Sequence, residues 1–271
     1  MAKMTGRVLV IAGSDSGGGA GIQADIKAIT ALGGFAMTAI TALTAQNTQG
    51  VHGIHDVPAD FVADQMRVVL EDIGADCIKI GMLHRADIIE TVVTTLAELA
   101  PGVPIVADPV MVAKGGASLL AEAAADALKT VLIPAAHVIT PNLPEAEVLI
   151  GQSISNAADM DAALDALAGL GAHAVLLKGG HLEGDALVDL LRDADGTTHR
   201  FEDTRIDTQN THGTGCTLAS AIAVGLAQEM TLVEAVKRAR AYVRRAIETN
   251  PGFGHGHGPL NHAVTVGDFQ D

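Results

Sequence analysis

Several short segments of this 271-residue chain carry residue types that could move a phosphoryl group. The most informative is Thr211-His212-Gly213-Thr214-Gly215-Cys216-Thr217, which runs straight into an apolar helical stretch. Two glycines let consecutive amides point one way, and the positive end of the following helix reinforces them. That arrangement makes an anion hole for charge developing on a transferred group. Cys216 falls in the first turn of this helix, where a thiol pKa is lowered from about 8.5. It is therefore a candidate base for the proton of an attacking alcohol. The plain alternative for any cysteine is a small buried hydrophobe, and Cys77, inside a strand, keeps that reading.

Two further segments, Asp108-Pro109-Val110-Met111 (followed by Ala113-Lys114-Gly115-Gly116) and Pro141-Asn142-Leu143-Pro144-Glu145, each set a carboxylate just past a strand. Singly, Asp108 reads as a turn residue before proline and Glu145 as a first-turn helix charge. Together they point to a Mg²⁺–nucleotide site, in which the metal keeps waters and bridges phosphates. Lys178, in Lys178-Gly179-Gly180-His181, could meet phosphate as a point charge, with a solvated strand-end lysine as the alternative. The first loop, residues 12–21, is glycine-rich but matches neither common phosphate fingerprint. A G-x-G-x-x-G starting at Gly17 would need glycine where Ile22 stands, and no Gly-Lys-Ser/Thr triplet occurs. It reads either as a flexible turn or as a close backbone approach to a ligand at a helix start. His52/His55 and His255/His257 have metal-like spacings but no further clustered ligand, and no metal is assigned to them.

These residues need a scaffold that gathers the ends of distant strands. Apolar runs at 8–12, 36–43, 77–80, 105–107, 138–140 and 174–177 alternate with helical-period segments at 20–32, 59–73, 86–99, 121–132, 144–150, 159–170, 217–228 and 232–249. Ile22, Ile26 and Ile29 mark the inward face of the first helix, and Phe61, Met66, Val69 and Leu70 that of the second. A weak strand at 51–57 is stopped by Pro58. Asp195-Gly196, between runs at 186–191 and 197–201, signals a hairpin. Strand followed by helix, repeated, predicts an α/β fold: a mainly parallel doubly wound sheet with helices on both faces. With no internal repeat and no Pro/Gly/Ser linker, residues 1–271 read as one domain, and the Gly-His tail at 252–258 is the only low-complexity patch. In such folds ligands sit at the carboxyl ends of strands, which is where the glycine-rich and acidic segments fall.

Composition narrows the partners. Apolar residues make up 48% and aromatics 2%, so an aliphatic core suited to buried parallel strands is expected. The formal charge of −15 opposes nucleic-acid backbones and anionic membranes, leaving small anionic ligands open. Two distant cysteines make no disulfide framework and fit a reduced compartment. The apolar run 8–12 is shorter than a signal-peptide core, and no 18-residue apolar stretch exists. A cytoplasmic protein is expected.

Seven blocks in register resemble the ribokinase-like superfamily and, within it, the hydroxymethylpyrimidine/phosphomethylpyrimidine kinases of thiamine biosynthesis. They are Ala-Gly-Ser-Asp with Gly-Gly-Ala-Gly-Ile-Gln-Ala-Asp (12–15, 18–25), Thr-Ala-Gln-Asn-Thr (44–48), Lys-Ile-Gly-Met-Leu (79–83), Asp-Pro-Val-Met (108–111), Ile-Thr-Pro-Asn-Leu-Pro-Glu-Ala (139–146), Leu-Lys-Gly-Gly-His (177–181) and Thr-His-Gly-Thr-Gly-Cys-Thr-Leu (211–218). The resemblance implies phosphorylation of 4-amino-5-hydroxymethyl-2-methylpyrimidine and then of its monophosphate, with Mg-ATP. It implies that Gln46 hydrogen-bonds the pyrimidine and that Gly13, Ala20, Met82 and Val110 line the substrate pocket. Cys216 stands where most ribokinase-like enzymes carry an aspartate base. Asp108 and Glu145 match the metal-associated acids, Lys178 and Thr214 the phosphate-binding positions, and Gly213 and Gly215 the anion hole. A homodimer is implied as well. The first loop departs slightly, reading Asp15-Ser16-Gly17-Gly18 where the family often has a Pro or Ser pair before Gly-Gly. The rival readings are a pyridoxal/pyridoxine kinase on the same fold, against which the Ala-Gln-Asn-Thr block argues, and a non-catalytic nucleotide-binding regulator, against which the set Asp108, Glu145 and Cys216 argues. An oxidoreductase lacks its dinucleotide fingerprint.

Overall fold

The computed structural model describes residues 4–111, 124–182 and 184–267. The segment 113–116 and the start of the predicted helix at 121–132 lie outside the described residues. The chain order is β1 (Arg7–Asp15), α1 (Gly21–Ala31), β2 (Phe35–Asn47), β3 (Gly50–Asp56), α2 (Ala59–Asp72), β4 (Cys77–Ile80), α3 (Ala86–Leu99) and β5 (Ile105–Ala107). It continues with α4 (Ala124–Ala127), a π turn at Leu128–Leu132 and α5 (Ile133–Ala135), then β6 (Val138–Ile139), α6 (Leu143–Ile150), α7 (Ala157–Ala168), β7 (Ala174–Lys178), the hairpin β8 (Ala186–Arg192) and β9 (Thr198–Thr204), α8 (Thr214–Ala227) and α9 (Leu232–Glu248).

Among the described residues the strands form one sheet in the order β3-β2-β1-β4-β5-β6-β7-β8-β9. The run from β2 to β7 is parallel, while β3, β8 and β9 are antiparallel. From β1 the chain winds first to β2 and then to the opposite side at β4, so a crevice opens at the carboxyl end of β1, the topological switch point. One apolar core lies between the sheet and the helices α2 to α7. A second, on the other face, is built with α1, α8 and α9. Helix α8 is buried almost all round, as a helix apolar on every side must be. Its Gly225 lets α9 approach, since a Cβ there would stand 2.7 Å from the Ala235 Cβ.

Four sequence readings are corrected here. Strand β1 does not end at Ala12: it shifts register and pairs Ser14 and Asp15 with Leu43 and Thr44. Strand β2 does not stop at residue 43 but extends to Asn47, because β3 folds back on it. Ile26 is not inward but 38% exposed, and Asp25 takes the buried position beside it. Phe61 is 58% exposed, because the inward stripe of α2 runs through Val62, Met66 and Leu70.

The segment after α9 packs back onto α8. His262 is buried with Nε2 2.9 Å from Thr217 Oγ1, and its carbonyl accepts from the Tyr242 hydroxyl at 2.8 Å. Burial pushes the His262 imidazole down from 6.5 to about 4, with Lys27 adding to the effect. The unfolded chain therefore takes up this proton near pH 6.5 while the native chain refuses it until about pH 4, so stability is lost as pH falls through that window. His262→Gln, which keeps a polar partner for Thr217, should lose on the order of 3 kcal/mol less than the parent between pH 7 and pH 4 in denaturant titrations. Parallel pH–stability curves for the two proteins would remove His262 from this role.

Candidate active site

A crevice of about 1100 Å³ lies over the carboxyl ends of β1, β2 and β4 to β7 and over the start of α8. All of the residues that the resemblance assigns to the site line it: Gly13, Ala20, Gln46, Met82 and Val110 toward one end, Asp108, Glu145 and Lys178 on the floor, and Gly213, Thr214, Gly215 and Cys216 along one wall.

That wall demands its glycines. Gly213 caps α8 with φ +81°, and a Cβ on it would stand 1.8 Å from the Gly19 carbonyl oxygen. Gly215 faces the floor, where a Cβ would meet Asp108 Oδ2 at 3.2 Å and Lys178 Nζ at 3.3 Å. The Thr214 hydroxyl donates to the Thr211 carbonyl at 2.7 Å and holds the turn. The first amides of α8 are thus presented above a charged floor, which suits a phosphate.

The first loop is held against this wall by a contact that sequence reasoning missed. Asp15 is buried and accepts from the backbone amides of Gly17, Gly19 and Ala20 at 2.8, 3.0 and 2.8 Å. Its Oδ2 also lies 2.9 Å from Nε2 of His212. Burial alone would raise this carboxyl, but the hydrogen bonds from His212, Ala20 and Gly17 bring it below its ordinary range. The legible signal was an Asp just ahead of a glycine run, an Asx-type turn former. Its partner, 197 positions away, was not legible. The Gln46 amide nitrogen packs 3.3 Å from the same His212 Nε2, whose proton is committed to Asp15, and Gln46 Oε1 accepts from the Thr44 hydroxyl at 3.1 Å. Gln46 is therefore fixed with its amide in the crevice. Gly13 leaves space for Met82, whose methyl would stand 2.5 Å from a Cβ at that position.

The floor is a set of buried charges. Lys178 donates to Asp108 at 3.0 Å, and Thr140 donates to the same oxygen at 2.9 Å. Burial would raise the Asp108 carboxyl, yet Lys178 and Lys79 hold it below its usual value. Lys178 is not a solvated strand end. Burial opposes its charge, but Asp108 and Glu145 keep its pKa raised. Glu145 closes the capping box of α6, accepting from the Asn142 amide at 2.9 Å while Asn142 Oδ1 accepts from the Glu145 amide. Burial, with help from Asp108, pushes Glu145 up to about 7 despite Lys178. Behind this floor lies a second missed element: fully buried Lys79 pairs with Asp25 at 2.9 Å, and Ser220 donates to Asp25 at 2.7 Å.

The expectation of a low Cys216 pKa is overturned. The thiol is pushed up to about 11, first by burial and then by Asp25 and Asp108. Lys79 and a hydrogen bond from the Gly21 amide pull it down without compensating. Helix position alone had argued the other way, and neither the burial of the thiol nor Asp25 behind it could be read from spacing.

Asp108 and Glu145 also bear on a metal. Two buried carboxylates on one floor, one of them short of compensating charge, fit a hard divalent cation. No group of three or more metal-ligating side chains exists among the described residues, so phosphate and water would complete such a shell. Past Lys178 the crevice continues between the β8–β9 hairpin and the α8–α9 pair, where Leu187, Ile206, Leu218, Val243 and Ile247 line an apolar slot. Arg240 and Arg244 border it, tied to Asp189 at 2.8 Å and Asp203 at 2.6 Å. No sequence motif marks this half, because its residues come singly from two helices and a hairpin.

A helix start aimed over a buried acid–lysine pair, at the switch point of a mostly parallel sheet, is the construction of a ribokinase-like small-molecule kinase. Comparison with known proteins narrows the class. The family model for phosphomethylpyrimidine kinase matches residues 15–261. The thiamine biosynthesis bifunctional protein ThiED of Geobacter sulfurreducens is 52% identical over 266 residues, covering 98% of this chain and 54% of that protein. The chain thus spans about half the length of this bifunctional relative. The hydroxymethylpyrimidine/phosphomethylpyrimidine kinase of Streptomyces coelicolor is 46% identical over 96% of both chains. An ADP complex of Bacillus subtilis pyridoxal kinase superposes with a TM-score of 0.87 at 36% identity, covering 96% of this chain and 98% of that one. The chain belongs to the phosphomethylpyrimidine kinase family.

A thiol with its pKa near 11 sets a clear expectation. Alkylation of Cys216 by iodoacetamide should climb about tenfold per pH unit from pH 7 to pH 10 without levelling, with Cys216→Ser as the control for background. A plateau near pH 8.5 would show that burial and the carboxylates behind the thiol do not govern it.

Proposed function

We propose that the chain transfers the γ-phosphoryl group of ATP to the hydroxymethyl oxygen of 4-amino-5-hydroxymethyl-2-methylpyrimidine, and then a second phosphoryl group to the resulting monophosphate, in thiamine biosynthesis. The observation that carries this reading is Gln46, hydrogen-bonded by Thr44 and packed against His212, in the crevice that Gly13, Met82 and Val110 also line. A primary amide offers a donor and an acceptor together, which suits an aminopyrimidine edge. The small and apolar neighbours suit a flat methylated ring.

The acceptor hydroxyl then points toward the Gly213–Cys216 amides, and ATP enters from the other end with its adenine in the slot formed by Leu187, Leu218, Val243 and Ile247. Transfer forms a bond from the hydroxyl oxygen to phosphorus as the bond to ADP breaks, and the hydroxyl proton leaves as the new bond forms. The amides hold the developing charge. Lys178 and Thr214 meet the phosphates. Cys216, mostly protonated at neutral pH, orients the hydroxyl as a thiol and takes its proton as the minor thiolate. Mg²⁺, held by Asp108 and Glu145, would supply charge neutralisation on the bridging phosphates. The described chain acts as one kinase unit, and the resemblance extends the proposal to a cytoplasmic homodimer. Among the described residues no helix is long and apolar enough to cross a membrane.

A pyridoxal kinase activity is the second reading, favoured by the likeness to the Bacillus subtilis enzyme. Gln46→Ala tests the pyrimidine contact on which the first reading stands. It should raise the KM for the pyrimidine about tenfold or more, as expected for losing hydrogen bonds to the ring, while the KM for ATP changes by less than about twofold. Equal effects on both substrates, or none on the pyrimidine, would end the assignment of Gln46 as ring reader.

A further inference from the structure

The Gly-His tail takes no part in the chemistry above, yet it touches both walls of the acceptor end. After α9 the chain crosses the tip of the β2–β3 hairpin, where the Thr48 hydroxyl accepts from the His255 and Gly256 amides at 3.2 and 3.3 Å. The Thr48 carbonyl accepts from the His257 amide at 2.8 Å. The chain next passes the stretch leading into α8, where the His212 amide donates to the Gly258 carbonyl at 3.1 Å. Contact this close explains three of its glycines. A Cβ on Gly254 would stand 2.3 Å from Thr48 Oγ1, on Gly256 2.1 Å from the Thr48 carbonyl oxygen, and on Gly258 1.9 Å from Asn210 Oδ1. Thr48 lies two residues beyond Gln46, and His212 directly precedes Gly213.

We infer that the strap 252–258 is a positioning element: it fixes the distance between the strand end that carries Gln46 and the turn that carries the anion hole, and so sets whether the bound acceptor hydroxyl meets the transferred phosphoryl group. This rests on the reading of Gln46 and the α8 amides given above. Backbone-to-backbone pinning suits such a task, because a displacement of about 1 Å at a reacting centre can cost a hundredfold in rate. The apolar slot given to adenine is lined by Leu187, Leu218, Val243 and Ile247, and no residue of the strap lines it. Loosening the strap should therefore damage acceptor use and spare ATP binding.

The test uses the full chain with 4-amino-5-hydroxymethyl-2-methylpyrimidine and ATP, measuring ADP and phosphopyrimidine separately. Thr48→Val removes the hydroxyl acceptor and keeps the shape, Thr48→Ser restores the acceptor, and Gly256→Ala drives a methyl into the Thr48 carbonyl. Thr48→Val and Gly256→Ala should raise the pyrimidine KM or lower kcat by about tenfold, leave the ATP KM within about twofold, and raise the ratio of ADP to phosphopyrimidine above one as water replaces the misplaced hydroxyl. Thr48→Ser should return all three values toward the parent. A parallel rise in both KM values, or a lowered melting temperature with unchanged KM, kcat and product ratio, would reduce the strap to a stabilising tie. A parent protein inactive on the pyrimidine would instead strike at the functional reading itself.

Discussion

The buried contact between Asp15 and His212 is the constraint on which the site depends. It joins the turn after β1 to the turn before α8, and neither could form the site alone. Asp15 gathers three amides of its own loop before it meets His212, so a single carboxylate folds the loop and docks it. The docking is so close that both sides must be glycine: a Cβ on Gly19 would strike the His212 ring at 2.3 Å, and one on Gly213 the Gly19 carbonyl. The glycines that look like flexibility in the sequence are in fact the means of close packing. His212 carries the constraint onward to Gln46, which ties the acceptor-binding side to the same junction.

Beneath that junction the charges are balanced in two tiers. Lys178 faces Asp108 and Glu145 at the surface of the crevice, and Lys79 faces Asp25 behind it. Burying such pairs is expensive, and removing one partner of a buried pair costs about 3–5 kcal/mol, so the arrangement must serve more than stability. Its effect is to leave two carboxylates to one lysine in the upper tier, and burial together with Asp108 raises Glu145 there. A site poised in this way favours a cation arriving with the phosphates and keeps the thiol protonated until then.

Much of this was legible in the sequence, for a physical reason. A parallel sheet buries its strands on both faces, so each strand reads as an unbroken apolar run and the residue that follows it is at the crevice. Asp108 and Lys178 were found that way, and the Gly213–Cys216 turn by its glycines running into an apolar helix. What escaped was whatever depended on pairing across distance. Asp25 directly precedes Ile26, which the periodicity placed inward, and Lys79 in β4 with Ser220 in α8 makes a buried Asp tolerable there. The apolar slot at the far end of the crevice has no local pattern, because its residues come from separate elements. The sign of the Cys216 shift turned first on burial, to which Asp25 and Asp108 add.

The most direct test of the account is ATP consumption by the purified protein with hydroxymethylpyrimidine, its monophosphate and pyridoxal in parallel, with products resolved by mass. The account predicts conversion of the pyrimidine through the monophosphate to the diphosphate, with little turnover of pyridoxal. Turnover of pyridoxal alone would keep the fold and the phosphoryl-transfer site but contradict the acceptor assignment, and turnover of none of the three would contradict the kinase reading as a whole.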